Sequence, residues 1–227
     1  MTAVAAVAAV AILGFREFRT PLPPLSTARA TAQPLSADQR ERLSRFARLE
    51  KAATGGLSVA VFSDVQCPFC ASLGASLDSL EKALPSELAY TVVHFPLSTH
   101  PHARHGANAL ECARDQGRMR QLLALLYVRQ SDIGSLDWRE FARLAEVEDL
   151  NRFARCVSSN EKDGIADGGL ALGKDLGLRG TPMVVIEGYV LGQPPRVAEL
   201  SRILSARRSG ASVEKALAEG GFRVLDR

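Results

Sequence analysis

Cys67 and Cys70, separated by Pro68 and Phe69, have the strongest claim to chemistry in this 227-residue chain. A thiolate is both a nucleophile and a metal ligand, so a pair of cysteines at this spacing has two uses. If a helix begins just after Cys67, the first sulfur lies near unsatisfied N–H groups and the positive end of the helix dipole, which favours its ionised form. Cys67 is then the attacking thiolate. Cys70, one turn further in and more buried, is placed to attack the mixed disulfide that Cys67 forms and to release the partner. Pro68 suits the first helical turn, where its missing N–H has no partner to lose. The same spacing supplies half of a zinc site. Two classes of function therefore stay open on these residues alone: a thiol–disulfide oxidoreductase, and a zinc-binding interaction protein that adds other cysteines or histidines as ligands.

The surrounding pattern supplies the junction that the first use requires. Residues 57–62 read as a short strand preceded by Gly55 and Gly56. After Cys67 the leucines at 73, 77, 80 and 84 recur at helical spacing. Residues 88–95 read as a second strand, and two strands joined by a helix imply a parallel crossover. Helical periodicity then runs through 102–116, 118–130, 138–147, 149–157 and 161–176. Strands at 183–186 and 189–191, turning at Glu187-Gly188, form a hairpin, and a helix over 196–207 closes the domain. Thr181-Pro182 directly precedes the first hairpin strand, where a cis bond would turn the backbone toward a neighbouring site. Upstream, Ser36 and Gln39 match a capping box, with Leu43, Phe46 and Leu49 on one face of a helix running to about residue 53.

Composition bounds the rest. A net charge of +3 with both signs interspersed, and 6% aromatic residues, excludes the basic surface and stacking platforms of a nucleic-acid binder. Residues 1–15 carry no charged side chain and read as the apolar part of a targeting or anchoring segment, short of the roughly 20 residues that span a bilayer. No basic residue precedes it, and Arg16 and Arg19 follow it with the orientation that the positive-inside rule disfavours; a start codon placed too far downstream would explain both. The expected organisation is a signal or membrane-anchor segment over 1–19 and an extended, mobile Pro-rich linker over 20–35. A domain follows over 36–208, with a helical insertion at about 100–176, and then a C-terminal tail over 209–227.

Four segments in order, "FSDVQCPFC" (62–70), "FPLSTHPHARHGANALECARDQG" (95–117), "LDWREFARLAEVEDLNRFARC" (136–156) and "LGLRGTPMVVIEG" (176–188), resemble DsbA-type thioredoxin-fold thiol-disulfide oxidoreductases. The resemblance implies an α/β thioredoxin-like fold with a helical insertion, Cys67 as attacking thiolate, Cys70 as resolving thiol and Pro182 as a cis-proline. It also implies that Thr181 offers its backbone to an extended substrate and that the insertion caps the site. One position departs from the pattern: the buried acid often found six residues before the nucleophile is Val61 here, and Asp64 is a different site that orients the loop. No cofactor or metal is implied. The resemblance points to an extracytoplasmic protein, in the periplasm or cell envelope, with exported thiol or disulfide proteins as substrates and a membrane redox partner.

In an oxidising compartment the even cysteine count favours a structural disulfide between Cys112 and Cys156, two buried thiols being the alternative. His100, His102 and His105 are crowded enough to raise metal binding, but they fall inside the family-like stretch. Trp138, Phe141 and Leu144 read as core, and Arg40, Arg42, Arg45 and Arg48 as a solvated face. Donation of disulfides is the leading direction, with reduction or isomerisation as the alternative.

Overall fold

The structure is a computed structural model that describes residues 29–47, 52 and 56–226. The expected N-terminal segment, most of the linker, the last turn of the first expected helix and Arg48 lie outside the described residues.

A six-stranded mixed sheet carries the fold. In chain order the elements are β1 (Thr31–Pro34), α1 (Ala37–Ala47), β2 (Leu57–Ser63), α2 (Pro68–Ala83), β3 (Leu88–His94), α3 (Ala103–Arg114), α4 (Met119–Val128), α5 (Trp138–Leu144), α6 (Leu150–Ser158), α7 (Asp163–Asp175), β4 (Met183–Ile186), β5 (Tyr189–Leu191), α8 (Val197–Arg208), α9 (Val213–Gly220) and β6 (Arg223–Val224). The strand order is β3-β2-β4-β5-β1-β6. β2 and β3 pair in parallel, with Leu57 opposite Leu88 and Ser63 opposite His94. Their near-continuous apolar sequence suits strands covered on both faces. β4 runs antiparallel to β2, which sets Met183 opposite Phe62 and brings the Thr181-Pro182 segment to the end of β2 that feeds Cys67.

Side chains alternate across the sheet with a period of two. Val59 and Val61 join a core that includes Leu77, Leu110 and Leu126, whereas Ala60 and Phe62 join a second core with Leu43, Phe95 and Leu172. The insertion, α3 to α7, belongs to both. Within it Cys112 of α3 is disulfide-bonded to Cys156 of α6, with 5.9 Å between their Cα atoms. Buried Glu111, one residue earlier, meets His94 Nε2 at the end of β3, 2.7 Å from its Oε1, while Arg114 Nε donates to its Oε2.

Three expectations need correction. The linker does not stay mobile to residue 35: Thr31–Pro34 is a strand paired antiparallel with β5 and parallel with β6, and Ala32 and Leu35 are buried. Its proline stands at the strand's end, where a missing ladder donor costs little. The C-terminal stretch is not a tail, since α9 packs Leu217 into the core and β6 completes the sheet. Leu144 is exposed, because the helix it ends stops one turn before periodicity alone would stop it, while Phe141 is fully buried as expected. The capping box forms: Ser36 N donates to Gln39 Oε1 and Gln39 N donates to Ser36 Oγ. No helix among the described residues is long and apolar enough to cross a membrane.

Candidate active site

β2 ends at Ser63, the chain turns through residues 64–66, and α2 starts at Pro68 with Cys67 as its extended N-cap residue. Asp64 organises the turn. Its buried carboxylate accepts from Gln66 N at 2.7 Å, from Leu97 N at 2.8 Å and contacts His100 Nδ1 at 2.9 Å. This is the loop-orienting role its position suggested, and the position six residues before Cys67 is Val61, which packs into the core.

Both cysteines of the pair are thiols and both are buried, Cys70 the more completely. Cys67 Sγ donates to the Thr181 carbonyl oxygen at 3.4 Å. Thr181-Pro182 is a cis peptide bond. Burial pushes the Cys70 thiol up to about 12, and the Ser63 hydroxyl, which faces the sulfur, moderates the rise. The Thr181 hydroxyl faces the same sulfur, although it completes no hydrogen bond of good geometry. Cys70 is therefore a protonated, sequestered thiol at neutral pH.

The insertion clamps this loop through side chains that the motif reading missed. Gln130, just past α4, donates from one Nε2 to the carbonyls of Val65 and Cys67 at 2.8 and 3.0 Å. Gln66 Oε1 accepts from His102 N at the start of α3. α4 also sends Tyr127, whose hydroxyl lies 2.5 Å from Ser63 Oγ. No sequence signal of local spacing marks these residues, because each contact spans about 36 residues or more.

The histidines go to separate partners. His100 contacts Asp64, and His105 stacks on Trp138 with ring centroids 5.5 Å apart. Beside the dithiol a groove of about 530 Å³ is lined mostly by apolar groups, among them Phe69, Leu73, Pro182, Pro194, Val197 and Leu200. Phe69, between the cysteines, is 71% exposed, an unusual cost for an aromatic ring unless something covers it. A buried thiol at a helix N-terminus, a second buried thiol one turn further in and a backbone carbonyl facing the first sulfur make a dithiol site of thioredoxin-like pattern.

Comparison with known proteins agrees. A family profile described as thioredoxin matches residues 52–206, so the chain belongs to the thioredoxin family. Among solved structures, a thioredoxin-like oxidoreductase from Silicibacter pomeroyi superposes with a TM-score of 0.60 at 22% identity, covering 76% of this chain and 99% of the other. Oxidised BdbD from Bacillus subtilis gives 0.60 at 12% identity over 84% of this chain and 100% of its own. The fold is thus that of DsbA-like proteins. Among curated proteins, a Na(+)/H(+) antiporter, NhaA 1 of Mycolicibacterium gilvum, is 30% identical over 159 residues, covering 67% of this chain and 25% of the antiporter. The chain spans about a quarter of the length of the first such relatives.

Proposed function

We propose that the protein catalyses thiol–disulfide exchange outside the cytoplasm, chiefly by donating a disulfide to exported proteins. The observation that carries the reading is the placement of Cys67 Sγ: at a helix N-terminus and against the carbonyl of Thr181, which lines an apolar groove together with Phe69 and Pro182. An extended substrate segment seated in that groove has the Thr181 backbone for short β-type pairing. Attack by a substrate thiolate on the Cys67–Cys70 disulfide forms a bond from the substrate sulfur to Cys67 and leaves Cys70 as the departing thiolate. A second substrate thiolate then displaces Cys67, and the substrate leaves oxidised while the dithiol is reduced. The oxidising direction draws support from the Cys112–Cys156 cross-link, since structural disulfides persist where the surroundings are oxidising. A membrane-bound redox partner would then restore the disulfide.

Replacing Cys70 by Ala tests the exchange chemistry. Acid-quenched extracts of an exporting host should then hold reductant-sensitive adducts that vanish when Cys67 is also replaced. Absence of such adducts, together with stoichiometric zinc in the unmodified protein, favours the zinc-binding alternative. Direction is read from a redox titration: a potential near about −120 mV fits a donor of disulfides, and one near about −270 mV fits a reductase.

A second reading concerns the partner. The curated relatives are antiporters in which a segment like this chain makes up a quarter of the protein, which supports a membrane transporter among the clients. Mass spectrometry of the Cys70→Ala adducts checks it, and adducts free of any transporter refute it.

A further inference from the structure

The exchange requires Cys70 to become a thiolate, either to attack the Cys67 mixed disulfide or to depart when the protein's own disulfide is opened. Burial opposes that charge, and with Val61 in the core β2 brings no carboxylate to relieve it. The groups that favour the sulfur's charge are the Ser63 and Thr181 hydroxyls and the Asp64 backbone N–H. Ser63, the last residue of β2, faces the sulfur and favours its charge, and Ser63 Oγ lies 2.5 Å from Tyr127 OH. Tyr127 arrives from α4, and its ring rests against α2 at Gly74, where a Cβ would stand 2.7 Å from ring carbon Cε2. Only a glycine at that point lets the ring lie close enough to present its hydroxyl to Ser63.

We propose that Ser63 and Tyr127 are positioning residues for the resolving thiol: the Tyr127 O–H donates to Ser63 Oγ, and the Ser63 O–H donates to Cys70 Sγ as its charge develops. The inference rests on the exchange chemistry proposed above. Successive donors in a low-dielectric site polarise one another, so the outer hydroxyl strengthens the inner bond. In the resolving step the Cys70 proton passes to solvent, the Cys70–Cys67 sulfur bond forms, the bond from Cys67 to the substrate sulfur breaks, and its electron pair leaves with the substrate thiolate. Among the described residues, the ionisable side chains that bear on the relay include Cys67, acting on Cys70; Cys70, Cys67 and Asp64, acting on Tyr127; and Tyr90, which also faces Tyr127. The insertion thereby takes part in the second half of the reaction, through a helix far from the dithiol in sequence.

The test uses the reduced full-length protein mixed rapidly with dithiobis-nitrobenzoate, an aromatic disulfide whose released thiolate is coloured. Attack by Cys67 releases the first equivalent and attack by Cys70 releases the second, so the two phases report the two sulfurs separately. Tyr127→Phe keeps the ring and removes the hydroxyl. It should leave the first phase unchanged, slow the second about tenfold at neutral pH and move its pH midpoint upward. Ser63→Ala should act in the same direction and more strongly, and Gly74→Ala should reproduce the Tyr127→Phe profile by displacing the ring. A second phase unaffected by Tyr127→Phe and Ser63→Ala overturns the proposal, as does equal slowing of both phases, which marks a merely structural role. If the unmodified protein releases a single equivalent, the exchange reading itself fails, an outcome distinct from either.

Discussion

Cys70 offers a quantitative test of what burial does to this site. In a Cys67→Ser variant, with Cys112 and Cys156 joined, Cys70 is the remaining free thiol. Its thiol sits at about 12, because burial disfavours the charged sulfur more than the Ser63 hydroxyl favours it. At pH 8 the thiolate is then about one part in 10⁴, while an unperturbed cysteine near 8.5 is roughly one quarter ionised. Since the thiolate is the reacting form, Cys70 should alkylate roughly 10³-fold more slowly than free cysteine, and steric closure slows it further. The rate should climb about tenfold per pH unit with no plateau before about pH 11. Mass-mapped carboxamidomethylation between pH 6 and pH 10 measures both features, with a urea-unfolded sample as the reference. Labelling within about tenfold of free cysteine at pH 8, or a plateau below pH 9, refutes the burial argument.

Other consequences are open to measurement. Replacing Cys112 and Cys156 by Ala removes a cross-link across 44 residues, worth about 4 kcal/mol by chain entropy. Calorimetry should show the Tm about 10 °C lower while the dithiol stays reactive. Burial alone would raise the Glu111 carboxyl, but the hydrogen bond and charge of His94, then those of Arg114, hold it at about 2 against an ordinary 4.5. A lowered carboxyl stabilises the fold above its unfolded value and loses that contribution as pH falls, so about 3 kcal/mol should disappear between pH 4.5 and pH 2. Urea midpoints across that range check it, and Glu111→Gln should flatten the slope. Asp64→Ala strips the acceptor from the buried turn and should cost about 2 kcal/mol or more in urea unfolding.

The junction at Cys67 is legible in the sequence because local signals coincide there: an apolar run, the proline after the first cysteine and leucines at helical spacing. Thr181-Pro182 is legible for a similar reason, as a proline that opens a strand. β1 is not. A four-residue strand with a proline at its end carries the composition of a linker, and what makes it a strand is pairing with β5 and β6, more than 150 residues away. The same holds inside the site. Asp64 and Val61 can be weighed from their distance to Cys67, whereas Ser63, Tyr127 and Gln130 acquire a role only when α4 is laid against α2. Periodicity locates a helix to within a turn but says nothing of which neighbour its polar side chains will meet.

The pairing of β1 bears on when the protein can finish folding. β1 leaves the ribosome before any other described element, yet its partners are β5 and β6, the latter sealed by Arg223 N donating to the Ala30 carbonyl and Leu225 N to that of Ala32. Until β5 emerges the strand has bare edges on both sides, and until residues 223–225 follow, the edge that β6 covers stays bare, a template for pairing with other chains. Closing contacts of such long range is slow. A nascent chain stalled short of residue 223 would hold Cys67 and Cys70 on an incomplete sheet, so the dithiol is assembled early and secured late.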